Sequence, residues 1–356
     1  MKIIEKNVPI PEAPKTEAFC PGKHPLFLDI ETTGLSADRS QVYLVGCCYP
    51  AGNTWRFAQW FAENPRDEEM LLKKFQDFTE PFDLLIHFNG DHFDLPFLHR
   101  RAAHYGIQDH FMELPSLDLY KRLRPCKDFL RLPNCKLKTI ETFLGLGRED
   151  EYNGGQLIDV YREYVRQPDA HSEHLLLLHN EEDILGMPRL LPALTYADFL
   201  GGRFSVEELM DREKGETADT FLLRLSLCFP QPVFFQENEW QGYLRESALR
   251  LTVPRFQGEL KYFLPDYRSY YYLPAEDTAV HKSVAAYVDR DFRRPATPKT
   301  CYLRREGTFL KLPGDMGRQV FRPEFGGDCY LEESEPAFED PAFLEEYLKR
   351  LACLLH

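Results

Sequence analysis

Residues 27–35 read F-L-D-I-E-T-T-G-L, and this stretch decides the fold and points to the function. Asp29 and Glu31 stand two apart in an apolar run with the character of a strand. Side chains two apart on a strand point the same way, so both carboxylates converge on one spot at the end of a buried strand. Isolated charges there are expensive to bury. Hard divalent cations between them would make the arrangement tolerable. The Thr-Thr-Gly that follows suits a tight turn, with Gly34 able to take a positive φ. The bland alternative, an acidic strand end facing solvent, has to be weighed against two further acidic elements downstream.

The chain has 356 residues, enough for two domains, and 43% of them are hydrophobic, enough for a substantial core. No apolar run approaches the ~20 residues that span a bilayer, and the N-terminus lacks a charged-then-apolar secretory pattern. Residues 1–23, rich in Pro and Lys, are expected as an N-terminal arm. Nine scattered cysteines show no C-x-x-C pair, and the adjacent Cys47 and Cys48 suit neither a common disulfide nor a zinc knuckle. They are read as reduced and structural, in a cytoplasmic protein without membrane contact. The net charge of −14 does not advertise nucleic-acid binding. Residues 241–330 are nevertheless locally basic, with 15 lysines and arginines against 11 acids. A locally basic segment can still face phosphates.

Strand-like runs at 25–30, 42–48, 54–60 and 83–88 alternate with helical segments at 67–79, 94–105, 136–144, 157–166 and 171–194, the last starting at Pro168-Asp169. The pattern predicts an α/β fold, a mixed sheet flanked by helices, over residues 24–197. Residues 198–204 read as a hinge. Ser205 and Glu208 form a capping box for a short helix. Residues 205–356 read as a smaller β-rich α+β domain rich in Tyr, Phe, Arg and Pro, of unassigned role. Asp340 and Pro341 start a last helix over 341–355.

The second acidic element is L-L-I-H-F-N-G-D-H-F-D-L-P-F-L at 84–98. A strand ends at Phe88, Asn89-Gly90 signals a turn, and Asp94 opens a helix whose carboxylate faces back to the strand ends, where open α/β sheets collect ligands. A helix-capping role is the alternative for Asp94. The third is L-L-L-L-H-N-E-E-D-I-L-G-M at 175–187. His179 and Asp183 lie four apart on one helical face that could look onto the Asp29 strand. Glu181 and Glu182 fall on other faces and read as solvated, with Glu182 bordering the site.

D-I-E-T-T-G, then N-G-x-x-F-D, then H-N-x-x-D, in that order, resembles the DEDD superfamily of 3′–5′ exonucleases, with a ribonuclease-H-like fold, and more narrowly the YprB-like family. The resemblance covers about residues 24–195. It implies that Asp29, Glu31, Asp94 and Asp183 bind two metal ions, Mg²⁺ or Mn²⁺, with Asp29 as bridging ligand. It also implies that His179 orients or deprotonates the attacking water. The superfamily carries either a Tyr four residues before the last Asp or a His five before it. Here Leu178 stands at five and His179 at four, a hybrid. Two divalent ions about 3.5–4 Å apart can both activate water and stabilise the departing 3′-oxygen. In such folds the backbone of Thr32, Thr33 and Gly34 approaches the terminal nucleotide and Leu35 wedges against a base. Asn89, His92 and Phe93 line the other side. Core packing is the alternative for Leu35 and Phe93. Asp118 and Asp159 are read as structural. Lys136, Lys138 and Arg148 lie near a possible phosphate path, or on the solvated surface.

In the second half, Y-F-L-P-D-Y-R-S-Y-Y-Y (262–272) and the aromatics and arginines of 287–305 could stack bases, or simply build a sheet. The expected partner is nucleic acid, a single strand or a 3′ end, with DNA and RNA both open. The rival readings are a structure-specific endonuclease on the same fold and a catalytically weak binding or assembly module.

Overall fold

The computed structural model describes all residues except 11–13, 151, 153 and 356. The chain divides into two compact units, Met1–Ala197 and Asp198–His356.

The first unit is built on a six-stranded sheet. Its strands are β1 (Lys2–Val8), β2 (Pro25–Thr32), β3 (Val42–Ala51), β4 (Thr54–Phe61), β5 (Leu84–His87) and β6 (Ser116–Asp118), in spatial order β1-β4-β3-β2-β5-β6. Around it run α1 (Glu68–Thr79), α2 (Asp94–His104), α3 (Leu119–Leu123), α4 (Leu137–Phe143), α5 (Gly154–Arg166) and α6 (Ala170–Leu190), followed by α7 (Leu194–Leu200). β2 is antiparallel to β3 and parallel to β5, so the sheet is mixed. This mixed sheet flanked by helices is what the β and α alternation predicted.

β2 is central because Leu26, Leu28 and Ile30 are all buried, in one cluster with Leu71, Phe75 and Leu98. β2 pairs with β5 only as far as Phe27 opposite Ile86. Asp29 and Glu31 therefore stand beyond the end of β5, at the carboxyl edge of the parallel strands. A bulge between Glu31 and Thr32 ends the regular pairing with β3. Glu68 of α1 ties three elements together. It accepts from the backbone N–H of Val42, from the Arg101 guanidinium at 2.8 and 2.6 Å, and from the Tyr105 hydroxyl at 2.9 Å.

Lys2–Val8, expected within a lead-in arm, instead forms the edge strand of this sheet, running antiparallel to β4 from Lys2 opposite Phe61 to Val8 opposite Trp55. Six of its seven residues show exposed or half-buried side chains, so it carries too little apolar alternation to be read as a strand. Its lysines suit an edge position. Lys6 pairs with Glu181 at 2.6 Å, so Glu181 is not simply solvated.

α6 starts where Asp169 caps it, accepting the N–H groups of His171 and Ser172 at 2.9 Å. Its approach to the sheet requires a glycine. A Cβ at Gly46 of β3, the register partner of Asp29, would lie 2.0 Å from Asn180 Oδ1 of α6.

The second unit holds a five-stranded antiparallel sheet of β7 (Val206–Lys214), β8 (Ala218–Glu237), β9 (Trp240–Phe263), and, after the small three-stranded sheet of β10 (Tyr270–Leu273), β11 (Thr278–His281) and β12 (Arg294–Pro295), β13 (Tyr302–Leu312) and β14 (Cys329–Glu332). The short α8 (Lys282–Ala285) follows β11. The helix expected at Ser205 is absent. That stretch is β7, paired with β8 through two irregularities. Long-range pairing with a 20-residue neighbour overrides a local capping pattern. α9 (Pro341–Ala352) forms where a helix over 341–355 is expected but ends three residues earlier; it is capped by Asp340 at 3.0 Å from the Ala342 N–H and buries Phe343, Leu344, Tyr347, Leu348 and Leu351.

No helix among the described residues is long and apolar enough to cross a membrane.

Candidate metal centre and active site

Three chain segments deliver the acidic side chains to one place. β2 brings Asp29 and Glu31 side by side. The turn after β5 brings Asp94, the first residue of α2, whose Oδ1 accepts the Ile30 N–H between them at 3.1 Å. α6 brings His179 and Asp183. His179 Nε2 stands 3.5 Å from Glu31 Oε1 and 3.8 Å from Asp183 Oδ2. The acids of the three motifs thus border one region around His179, although among the described residues the grouping of three ligand atoms within 4.8 Å falls at His87, Asp91 and Asp118 and not here.

Each carboxylate has one oxygen tied to the protein or facing His179. Asp29 Oδ2 accepts from Asn180 Nδ2 at 2.8 Å, and Asn180 Oδ1 accepts in turn from Gln59 Nε2 at 2.9 Å. Asn180 and Gln59 are fully buried. Asp183 Oδ1 is held by Arg148, whose Nη1 also reaches Glu141 Oε2 at 2.8 Å. Fixing one oxygen leaves the other for a ligand, the usual logic of groups behind a metal site.

The acids repel one another strongly. Burial, then repulsion from Asp183, Asp94 and Glu31, pushes the Asp29 carboxyl well above the carboxylate range. Glu31 is raised likewise, by burial and then by Asp183, Asp94 and Asp150. Burial pushes Asp94 up to about 7 against the pull of its backbone hydrogen bonds. An all-oxygen, mutually repelling donor set fits hard divalent cations.

Behind His179 lies a partner that sequence reasoning missed. Its Nδ1 is 2.7 Å from Asp150 Oδ2. Asp150 also takes Lys138 Nζ at 2.9 Å. Burial works against ionisation of Asp150, but the bonds from Lys138 and His179 hold its carboxyl below the usual range. Lys138 and Arg148, expected near a phosphate path or on the solvated surface, pair with these acids; Lys138 stays partly exposed while Arg148 is turned inward. The Arg148 side chain is only 9% exposed.

The expected substrate contacts are placed as follows. Thr32 is buried, its hydroxyl donating to Gly34 O at 2.9 Å. Thr33 exchanges hydrogen bonds with Gln41 through its N–H and its hydroxyl. Gly34 does not take a positive φ. A Cβ there would meet Ser40 Oγ at 2.6 Å, a contact that rotation of the serine hydroxyl can relieve. Leu35 is 85% exposed, so it does not pack in the core. Phe93 does pack against the core and against Phe97, while His92 is exposed. Asn89 adopts φ 66°, the left-handed turn conformation.

A second group, His87, Asp91 and Asp118, has the composition of a metal site, with ligand atoms within 4.8 Å of one another. Its bonds tie most of it into the fold, with His87 Nε2 left buried and without a hydrogen-bond partner. Asp118 accepts the N–H groups of Asn89, Asp91 and Lys121 at 2.9, 3.3 and 3.2 Å. His87 Nδ1 accepts the Gly90 N–H at 3.1 Å, and burial lowers the ring's pKa, keeping it neutral. The group pins the 89–91 turn that presents Asp94. Asp159 is exposed and pairs with Arg162 at 3.0 Å, away from the acids.

Of the second unit's aromatics and arginines, several serve the fold. Tyr272 and Tyr302 both donate to Asp277 Oδ1, and Arg293 lies 4.9 Å from the Tyr271 ring centroid. Tyr287 is 93% exposed.

Residues 26–195 match the family model described as the RNase_H superfamily. Similar solved structures include the family B DNA polymerase of Pyrobaculum calidifontis, at 14% identity and TM-score 0.43 over 94% of this chain and 46% of that one. A product-bound exonuclease I is 11% identical with TM-score 0.35, over 56% of this chain and 58% of that one. A further exonuclease I structure is 11% identical with TM-score 0.34, over 57% and 55%. The chain spans about half the length of these structures. Among curated proteins none matches. Residues 26–195, a little under half of the chain, thus match the ribonuclease-H-like superfamily, and the mixed sheet and helices described above are consistent with that fold.

Proposed function

We propose that this domain is a metal-dependent 3′–5′ exonuclease of the DEDD type, related to the YprB-like family, that hydrolyses phosphodiester bonds at a nucleic-acid 3′ end. The observation that carries the reading is the approach of acids from three chain segments to one region beside a histidine nitrogen. A merely structural cluster would gain nothing from carboxylates that raise one another's pKa. Asp29, Glu31, Asp94 and Asp183 would hold two Mg²⁺ or Mn²⁺ ions, which would supply a water of lowered pKa and stabilise the leaving oxygen. His179 accepts the proton of the attacking water at Nε2, the nitrogen that faces Glu31 and Asp183. Exposed Leu35, at the turn after β2, is available to a terminal base.

The test is incubation with 3′- and 5′-labelled DNA and RNA oligonucleotides, with and without Mn²⁺, alongside Asp29→Asn. Stepwise, Mn²⁺-dependent release from the 3′ end by the wild type, abolished by Asp29→Asn, supports the reading. Cutting of a circular single strand would make the enzyme an endonuclease. Full turnover by Asp29→Asn would refute the cluster.

A further inference from the structure

We propose that residues Arg148–Asp150, in the loop between α4 and α5, form a clip that positions the two site residues of α6, with Asp150 as the positioning residue of His179. The inference rests on the functional reading above for its catalytic meaning, but its geometry stands on its own.

The segment lies outside all three acidic motifs, yet each of its residues engages α6. The backbone N–H groups of Glu149 and Asp150 donate to the two oxygens of Glu182 at 2.8 and 2.9 Å, which docks the loop on the helix. Arg148 holds Asp183 Oδ1. Asp150 Oδ2 meets His179 Nδ1 at 2.7 Å. Residues 179, 182 and 183 are thus gripped from one side by three consecutive residues.

The chemistry of the last contact sets the histidine's tautomer. An ionised carboxylate only accepts, so the ring proton sits on Nδ1. The Nε2 lone pair then points to the space between Glu31 and Asp183, where an attacking water would lie. Without Asp150, the buried ring would be free to carry its proton on Nε2 and could not accept one there. Asp150 is itself braced by Lys138 Nζ at 2.9 Å and by the Tyr152 N–H at 3.0 Å. Glu141 braces Arg148 from α4 at 2.8 Å. Two side chains of α4, Lys138 and Glu141, thus carry the clip, and the clip carries the site face of α6.

A clip of this kind makes a distinct demand. Asp150 touches His179 and none of the four carboxylates proposed as ligands. Its loss should therefore reduce turnover without reducing cation binding, whereas a general loosening of the fold would reduce both.

The experiment uses the full chain as wild type, Asp150→Ala, Asp150→Asn and Glu182→Ala, with Asp183→Asn as control. The readouts are kcat and KM on a 3′-labelled oligonucleotide with Mn²⁺, Mn²⁺ binding by electron paramagnetic resonance, and the His179 ring ¹⁵N shifts, assigned with His179→Gln. Asp150→Ala should lower kcat about 10–100-fold, the usual scale for an orienting partner, with KM and Mn²⁺ binding within about twofold of wild type. Asp150→Asn, which keeps an acceptor oxygen, should recover part of the loss. Glu182→Ala should lower kcat in the same sense by undocking the loop. The wild-type ring should show the Nδ1–H tautomer, lost in Asp150→Ala. A wild-type Nε2–H tautomer overturns the clip whatever the activity. Unchanged kcat in Asp150→Ala, beside an active wild type and a dead Asp183→Asn, overturns it too. A wild type with no divalent-dependent hydrolysis would sink the nuclease reading, while the ring tautomer would still decide the clip.

Discussion

Removing the charge of Asp94 should stabilise the cation-free protein at neutral pH and weaken cation binding. The carboxyl's ordinary pKa of 3.8 is pushed up to about 7 by burial, with Asp118 and Asp183 adding repulsion. About three units at 1.36 kcal/mol each is on the order of 4 kcal/mol. A carboxyl whose folded pKa is raised contributes stability that is present below about pH 4 and lost as pH rises through about 7. At pH 8 without metal the folded state therefore bears the full cost of the charge, and at pH 4 almost none. Asp94→Asn removes the charge and keeps an oxygen to accept the Ile30 N–H, now 3.1 Å away. Neighbouring acids relax as well, so the expected gain is ~2–4 kcal/mol at pH 8 in EDTA, several degrees in thermal midpoint for a domain of this size. Near pH 4 the two proteins should unfold together. Added Mn²⁺ should raise the wild-type midpoint and leave the variant's nearly unmoved. Scanning calorimetry at the two pH values, with and without Mn²⁺, reads all of this. A variant destabilised equally at both pH values would refute the argument that burial of an unneutralised charge dominates at this position.

Three further outcomes are expected. Gly46→Ala places a methyl 2.0 Å from Asn180 Oδ1 and should cost ~1–3 kcal/mol in denaturant unfolding, partly restored by adding Asn180→Ala, which removes the clashing amide. Asp118→Ala strips the acceptor from three N–H groups and should cost ~1–3 kcal/mol, with hydrogen exchange rising at Asn89 and Asp91 first. Arg101→Met leaves the buried Glu68 carboxylate without its guanidinium and should cost ~3–5 kcal/mol by denaturant titration, the largest loss of the three.

The parts of this molecule that could be read from the chain are those in which local pattern and tertiary role agree. Asp29 and Glu31 announce themselves because charge interrupts an otherwise apolar strand. Asp169 and Asp340 cap their helices with nothing competing for them. β1 escaped because an edge strand needs little apolar surface, and the Ser205 capping pattern misled because pairing with β8 outweighs it. Asn180 sits beside His179 in plain view, but its role depends on a sheet neighbour 151 residues away. A signal was present: Asn180 falls on the face of α6 that buries Leu176 and Ile184, and Gln59 stands between the buried Phe57 and Phe61 on alternate positions of β4. A polar residue on an apolar face must find a buried partner. Arg148 and Asp150 offered no such pattern, since a loop has no period to violate. Only the folded chain shows that Arg148 turns away from solvent toward Asp183 and Glu141.

Everything functional here depends on acids at 29, 31, 94 and 183 acting together on divalent cations. The most direct measurement is a Mn²⁺ titration by electron paramagnetic resonance in the presence of a single-stranded phosphorothioate oligonucleotide. Two bound ions per chain are predicted for the wild type, with binding severely weakened in Asp29→Asn and in Asp183→Asn while both variants remain folded. Mn²⁺ binding that is absent from the wild type, or indifferent to both substitutions, would contradict the account.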